Sequence, residues 1–114
     1  MQTSIVRRYR FEAAHQLSWH PGKCANLHGH SYVLEIEAIG ELDQRGVVMD
    51  FSELDALIDP IVDVLDHSFL NDLVANPTAE VIAQWIANQL EPRGVNWSRI
   101  RLWETEDGSV LIER

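Results

Sequence analysis

The sequence predicts an α+β fold: a four-stranded antiparallel sheet, in the order strand, strand, helix, helix, strand, strand, with both helices on one face. Three observations predict it. Apolar and polar residues alternate with a period of two in two long runs before residue 41 and two shorter runs after residue 98. Between them lie two stretches whose apolar residues recur at helical spacing. Asp107-Gly108 separates the last two runs, a strong hairpin signal. With 114 residues, 46% of them hydrophobic, the chain is long enough for one domain, 1–114, with its own core.

Residues 4–15 read as the first strand. Ile5, Tyr9, Phe11 and Ala13 share one parity, Arg8, Arg10 and Glu12 take the other, and His15 ends the run on the apolar side. Residues 16–27 contain Pro21-Gly22 and little periodicity, so they form a loop. Residues 28–40 are the second strand. Tyr32, Leu34, Ile36 and Ala38 face one way with His28 and His30, while Glu35 and Glu37 face the other. Leu42 to Gly46 makes a turn, followed by the short apolar run Val47-Val48-Met49.

Ser52 is the expected start of the first helix, paired with Asp55 in a variant of the capping box. Leu54, Leu57, Ile58, Ile61, Val62 and Leu65 form its buried stripe, and the helix ends near Asp66-His67. Pro60 lies inside it; an interior proline costs about 3 kcal/mol, so a kink or two short helices is expected. Asn76-Pro77-Thr78 opens the second helix, with the proline in the first turn where its missing N–H is harmless. Ile82, Trp85, Ile86 and Leu90 supply its stripe, and Pro92 and Gly94 stop it. Arg99 to Thr105 and Ser109 to Glu113 are the third and fourth strands. Two helices cover only one sheet face. The other is left to solvent or a second chain, and open sheet edges invite pairing, so an oligomer built by extending sheets is expected.

The formal charge is −9, from 18 acidic and 9 basic residues. The basic residues are scattered, without the patch or stripe of a nucleic-acid binder. Arg7, Arg8 and Arg10, or Lys23 beside Cys24, are the places where an anionic ligand would find positive charge. No run of about eighteen apolar residues predicts a membrane span. One cysteine, with no charged-then-apolar leader at the start, fits the reducing cytoplasm.

His15, Cys24, His28 and His30 fall within sixteen residues. Residues i and i+2 of a strand share a face, so His28 and His30 converge, and His15 joins them from the neighbouring strand. Three neutral imidazoles leave the fourth position of a tetrahedral zinc open, as in catalytic zinc sites. His20, in Trp19-His20-Pro21-Gly22, is read as a bystander. Cys24 is either inert packing or a reactive thiol. Asp66-His67 at a helix end reads either as a dipole-stabilised cap or as the pair that takes a proton from that thiol. Glu104 shares parity with Ile100 and Leu102, where a carboxylate is costly unless paired. A carboxylate accepts two parallel N–H bonds, which suits a guanidine-like edge such as that of guanine or pterin.

Phe11-Glu12-Ala13-Ala14-His15, Cys24 to His30, Val48-Met49-Asp50-Phe51, Leu65-Asp66-His67, Asn76-Pro77-Thr78-Ala79-Glu80 and Trp103-Glu104-Thr105 together resemble the 6-pyruvoyl-tetrahydropterin synthase / 6-carboxytetrahydropterin synthase family, nearly end to end. The resemblance implies the tunnelling fold, in which subunit sheets join into a barrel, with a homo-hexamer as a dimer of trimers and sites between subunits. It implies His15, His28 and His30 as zinc ligands and Cys24 as the proton-transferring thiol. His67 with Asp66 is its implied relay partner, and Glu104 with Thr105 beside it is implied to bind the pterin, Glu104 also being implied as a catalytic member of the proton relay. Three residues between Cys24 and His28 resemble the bacterial 6-carboxytetrahydropterin synthases of the queuosine pathway. These convert 7,8-dihydroneopterin triphosphate to 6-carboxy-5,6,7,8-tetrahydropterin, acetaldehyde and triphosphate. The alternatives are pyruvoyl-tetrahydropterin synthesis or sepiapterin side-chain cleavage at the same site, a non-catalytic zinc or pterin binder, and a metal-independent relative resembling dihydroneopterin aldolase.

Overall fold

The computed structural model describes residues 1–114. Alternation of apolar and polar residues sets two long strands, β1 (Thr3–His15) and β2 (His28–Gly40), antiparallel and in register from Thr3 opposite Gly40 to His15 opposite His28. Helix α1 (Phe51–Leu65), the two-residue strand β3 (Ser68–Phe69) and helix α2 (Ala79–Leu90) follow. Strands β4 (Trp97–Thr105) and β5 (Gly108–Glu113) close the chain. The sheet order is β3-β1-β2-β4-β5. The expected four strands and two helices are present, but the sheet has five strands and is mixed, because β3 pairs parallel to β1 at Ala13–Ser68 and Ala14–Phe69. A two-residue strand is too short to carry a period, so no alternation marks it.

The core lies between the helices and one sheet face. Tyr9, Phe11 and Ala13 of β1, Tyr32, Leu34 and Ile36 of β2, and Ile100 and Leu102 of β4 pack on Leu54, Ile58, Ile61 and Leu65 of α1 and Ile82, Ala83 and Ile86 of α2. Phe11 and Tyr32 stack across the β1–β2 pair with centroids 4.8 Å apart. Full burial of such side chains contributes about 1.5–3 kcal/mol each. The opposite face carries Arg8, Glu35, Glu37, Arg99, Arg101 and Trp103, with Val6 and Leu111 exposed among them. No element of the chain covers it.

Several local expectations are corrected. Asp50, not Ser52, caps α1: its carboxylate accepts the Ser52 N–H. Asp55 takes no part in the cap; it accepts two hydrogen bonds from Arg7, at 3.0 and 2.9 Å, and one from Tyr9 at 2.8 Å. Helix α1 runs unbroken through Pro60. Pro60 and Ala56, whose carbonyl loses its partner, both lie on the exposed side, where water can satisfy that oxygen. Thr78 caps α2 by accepting the Val81 N–H, so Pro77 precedes the helix instead of sitting in its first turn. Val47 to Met49 is irregular, following a turn in which the Asp43 N–H donates to the Val47 carbonyl around Gly46 at φ +83°. Two of the three neighbouring arginines are paired: Arg7 with Asp55 under α1, and Arg8 with Glu35 on the uncovered face at 2.6 Å.

Candidate functional site

The β1–β2 register sets His15 directly opposite His28, with His30 two residues along the same face. His15 is fully buried and its Nδ1 donates to the Pro77 carbonyl at 2.8 Å. His28 Nδ1 donates to the Asn26 carbonyl at 2.7 Å. Both carbonyls fix the ring tautomers, because a carbonyl accepts but never donates. Each ring then presents a bare Nε2 lone pair inward, and these two nitrogens are 2.9 Å apart. Facing lone pairs repel unless a cation lies between them. His30 Nε2 is buried with no hydrogen-bond partner. The donor atoms of the three residues all lie within 4.8 Å of one another. The donor set, its fixed tautomers and its orphaned nitrogen fit a metal ion, so His15, His28 and His30 form a cluster that can hold one.

Burial holds His30 below the usual imidazole range; Glu104 opposes this, and His15 and His28 add to it. His30 is therefore neutral at neutral pH, the form that ligates. Gly29 leaves room for β1 at this point, since a Cβ there would meet the Ala13 carbonyl oxygen at 3.3 Å.

Glu104 reaches the same cluster. Trp103 pairs with Ser109 and Thr105 with Gly108, so Glu104 is the extra residue of a β-bulge. Bulges re-aim side chains beside functional sites. Glu104 Oε1 lies 3.5 Å from His15 Nε2 and 3.7 Å from His30 Nε2, with the side chain 31% exposed. The Tyr32 hydroxyl, buried without a partner, is the second orphaned group here; its ring stands edge-on to His30 with centroids 5.6 Å apart. Burial, reinforced by Glu104, raises its pKa and keeps it protonated. The turn beyond the bulge consists of Glu106 and Asp107, and Gly108 already belongs to β5.

Cys24 is half-buried in a short 3₁₀ turn, Lys23–Ala25, and lies outside the imidazole cluster. Its loop is strapped down by the Trp19 Nε1–H bond to Asn76 at 2.7 Å and by the paired amides of Gln16 and Asn71. His20 accepts the Gly22 N–H and serves its own turn, as a bystander would. His67 follows the C-cap Asp66 at φ +57°, a left-handed position that glycine usually takes. Its ring is 79% exposed and contacts Asp66 at 3.0 Å, while Asp66 also accepts the Glu12 N–H. That backbone bond first, and His67 second, hold Asp66 below the usual carboxylate range. No hydrogen bond joins Cys24 to His67 within one chain. His67 and His30 instead both line an open cleft of about 420 Å³, within the size range of small-molecule sites. The Pro77 and Asn26 carbonyls and Tyr32 are the site groups that sequence reasoning missed. Backbone carbonyls carry no residue signature, and Tyr32 reads as ordinary core.

Residues 4–114 match the model of the 6-pyruvoyl tetrahydropterin synthase family, and the chain belongs to that family of lyase-type enzymes acting on pterins. Among its relatives, a Synechocystis protein described as 6-carboxy-5,6,7,8-tetrahydropterin synthase is 46% identical, over 80% of this chain and 77% of that one. A Haemophilus influenzae protein of the same description is 35% identical, over 89% and 92%. The dihydroneopterin monophosphate aldolase of Pyrococcus furiosus is 38% identical over 99% of both chains. The Caenorhabditis elegans 6-pyruvoyl tetrahydropterin synthase structure, 24% identical, superposes with a TM-score of 0.88 over 100% of this chain and 96% of that one, which shows the shared fold. No helix is long and apolar enough to cross a membrane.

Proposed function

We propose that the protein is a zinc-dependent 6-carboxytetrahydropterin synthase. It converts 7,8-dihydroneopterin triphosphate to 6-carboxy-5,6,7,8-tetrahydropterin with release of acetaldehyde and triphosphate, a step toward queuosine and related 7-deazapurines. The observation that carries this reading is the pair of backbone-fixed imidazoles whose bare Nε2 atoms face each other 2.9 Å apart, beside the orphaned His30 Nε2. Relatives described as that synthase support the choice of reaction.

His15, His28 and His30 would hold the zinc, which when bound supplies Lewis acidity toward side-chain oxygens of the substrate. Glu104, with Thr105 next to it, accepts the parallel N–H bonds of the pterin's guanidine-like edge and so sets the ring's orientation. Cys24 takes and returns protons on the side-chain carbons, and His67, oriented by Asp66, is its relay partner. The left-handed backbone at His67, a non-glycine residue, supports a functional role there.

Because no bond links Cys24 to His67 within a chain, the relay is assigned to neighbouring subunits of a homo-hexamer, a dimer of trimers whose sheets join into a barrel. The uncovered sheet face supports that assembly. The protein acts in the cytoplasm on a small pterin, without nucleic acid or membrane.

The match to an aldolase over 99% of both chains favours a second reading: cleavage of dihydroneopterin monophosphate. Incubation with each substrate and mass analysis separates the two. The synthase yields acetaldehyde and the carboxypterin from the triphosphate. A two-carbon aldehyde phosphate from the monophosphate, with no acetaldehyde from the triphosphate, would overturn it. Turnover that survives exhaustive chelation would overturn the zinc requirement.

A further inference from the structure

We infer that Asn71 is a positioning residue for the Cys24 thiol: its side-chain amide takes the place of a strand backbone beside the end of β1 and so sets where the thiol lies relative to the imidazole cluster. This rests on the proton-transfer role proposed above for Cys24 and adds a residue that acts through it.

Strand β3 pairs parallel to β1, with Ala13 beside Ser68 and Ala14 beside Phe69. The same register sets His67 beside Glu12, where the His67 N–H donates to the Glu12 carbonyl, and Asn71 beside Gln16. Backbone pairing stops short of Gln16, because the chain enters the 3₁₀ turn Leu70–Asp72 and the Leu70 carbonyl accepts from Leu73 and Val74. The Asn71 side chain completes the seam instead. Its Oδ1 accepts the Gln16 N–H at 2.9 Å, and its Nδ2 donates to the Gln16 carbonyl at 2.8 Å. An asparagine amide offers the donor and acceptor of a peptide group, whereas an aspartate keeps only the acceptor.

The clamp falls where it governs the thiol. Gln16 directly follows the buried His15 and opens the loop that carries Cys24. Leu17 is buried, and its N–H donates to the Cys24 carbonyl at 3.0 Å. Apart from the Asn26–His28 bond at its exit, the loop is hydrogen-bonded to other elements only through Asn71 and through Asn76, which accepts from Trp19. Burial of Leu17 is non-directional. The two-point amide clamp supplies direction: it orients the Gln16–Leu17 backbone, and Leu17 in turn holds the backbone of Cys24.

Asn71→Ala, the near-isosteric Asn71→Asp, Cys24→Ala and the double variant Cys24→Ala/Asn71→Asp test this, with circular dichroism verifying each fold. Zinc content, acetaldehyde release from 7,8-dihydroneopterin triphosphate and alkylation of the single cysteine by iodoacetamide are measured. Both single Asn71 variants should keep their zinc. Their thiol should alkylate about tenfold faster, the scale on which lost hydrogen bonds shift a local opening. Their kcat should fall by up to about 10²-fold with KM little changed, as expected for a displaced reacting group. Cys24→Ala and the double variant should turn over equally, since the clamp then has no thiol to place. Wild-type kcat and alkylation rate in both Asn71 variants would overturn the inference while leaving the thiol's role standing. A double variant slower than Cys24→Ala by the factor that Asn71→Asp shows alone would give Asn71 a role apart from the thiol, and would overturn it too. Wild-type turnover in Cys24→Ala would overturn the proposed proton transfer and the inference together.

Discussion

His15, His28 and His30 were legible because parity is a strong constraint: three imidazoles on the apolar parity of two paired strands must share a face. Their tautomers were not legible. They depend on the Pro77 carbonyl, 62 residues from His15, and on the Asn26 carbonyl, and any residue can supply a carbonyl. Glu104 was read correctly as a carboxylate on the core parity, but its place beside His15 and His30 follows from a bulge that no alternation pattern encodes. At this scale the thiol gives the clearest prediction. Cys24 lies outside the metal cluster, so Cys24→Ala should retain its metal and lose about 10²–10⁴-fold in turnover. Steady-state rates measured with metal content check it; loss of the metal would make Cys24 a ligand instead.

Between elements, the tie that matters most is Asp55 of α1 with Arg7 and Tyr9 of β1. Sequence reasoning assigned Asp55 to a cap because spacing along one helix is visible and a partner 48 residues away is not. Pro60 does not divide the helix for a related reason: its cost depends on whether the freed carbonyl meets water, which is a matter of helix orientation. The Arg7 hydrogen bond first, and the Tyr9 bond second, hold the Asp55 carboxyl below the usual carboxylate range. Such a depressed value stabilises the fold above the unfolded pKa of about 4, and the contribution is lost as pH falls through the folded value. Asp55→Asn should therefore lower stability at neutral pH and flatten its decline on acidification. Urea unfolding at a series of pH values tests this, and parallel profiles for variant and wild type would refute it.

At the scale of the molecule, the layer arithmetic was legible: two helices cover one face of a sheet and leave the other open. What fills the open face was not, since Val6 and Leu111 are exposed there and no element of the chain covers them. Light scattering should give the mass of a trimer or hexamer; a monomer at micromolar concentration would contradict the shared relay. Cys24 and His67 share no hydrogen bond within one chain, while the imidazole cluster, built from one hairpin, is complete.

That completeness makes metal content the most direct test of the account. Elemental analysis of protein purified without added metal or chelator should find zinc in stoichiometric amount in the wild type and none above background in His28→Ala, with both proteins folded. A wild type free of transition metal, or a His28→Ala protein that keeps its full zinc, would contradict the claim that these three rings are held in place by the ion they share.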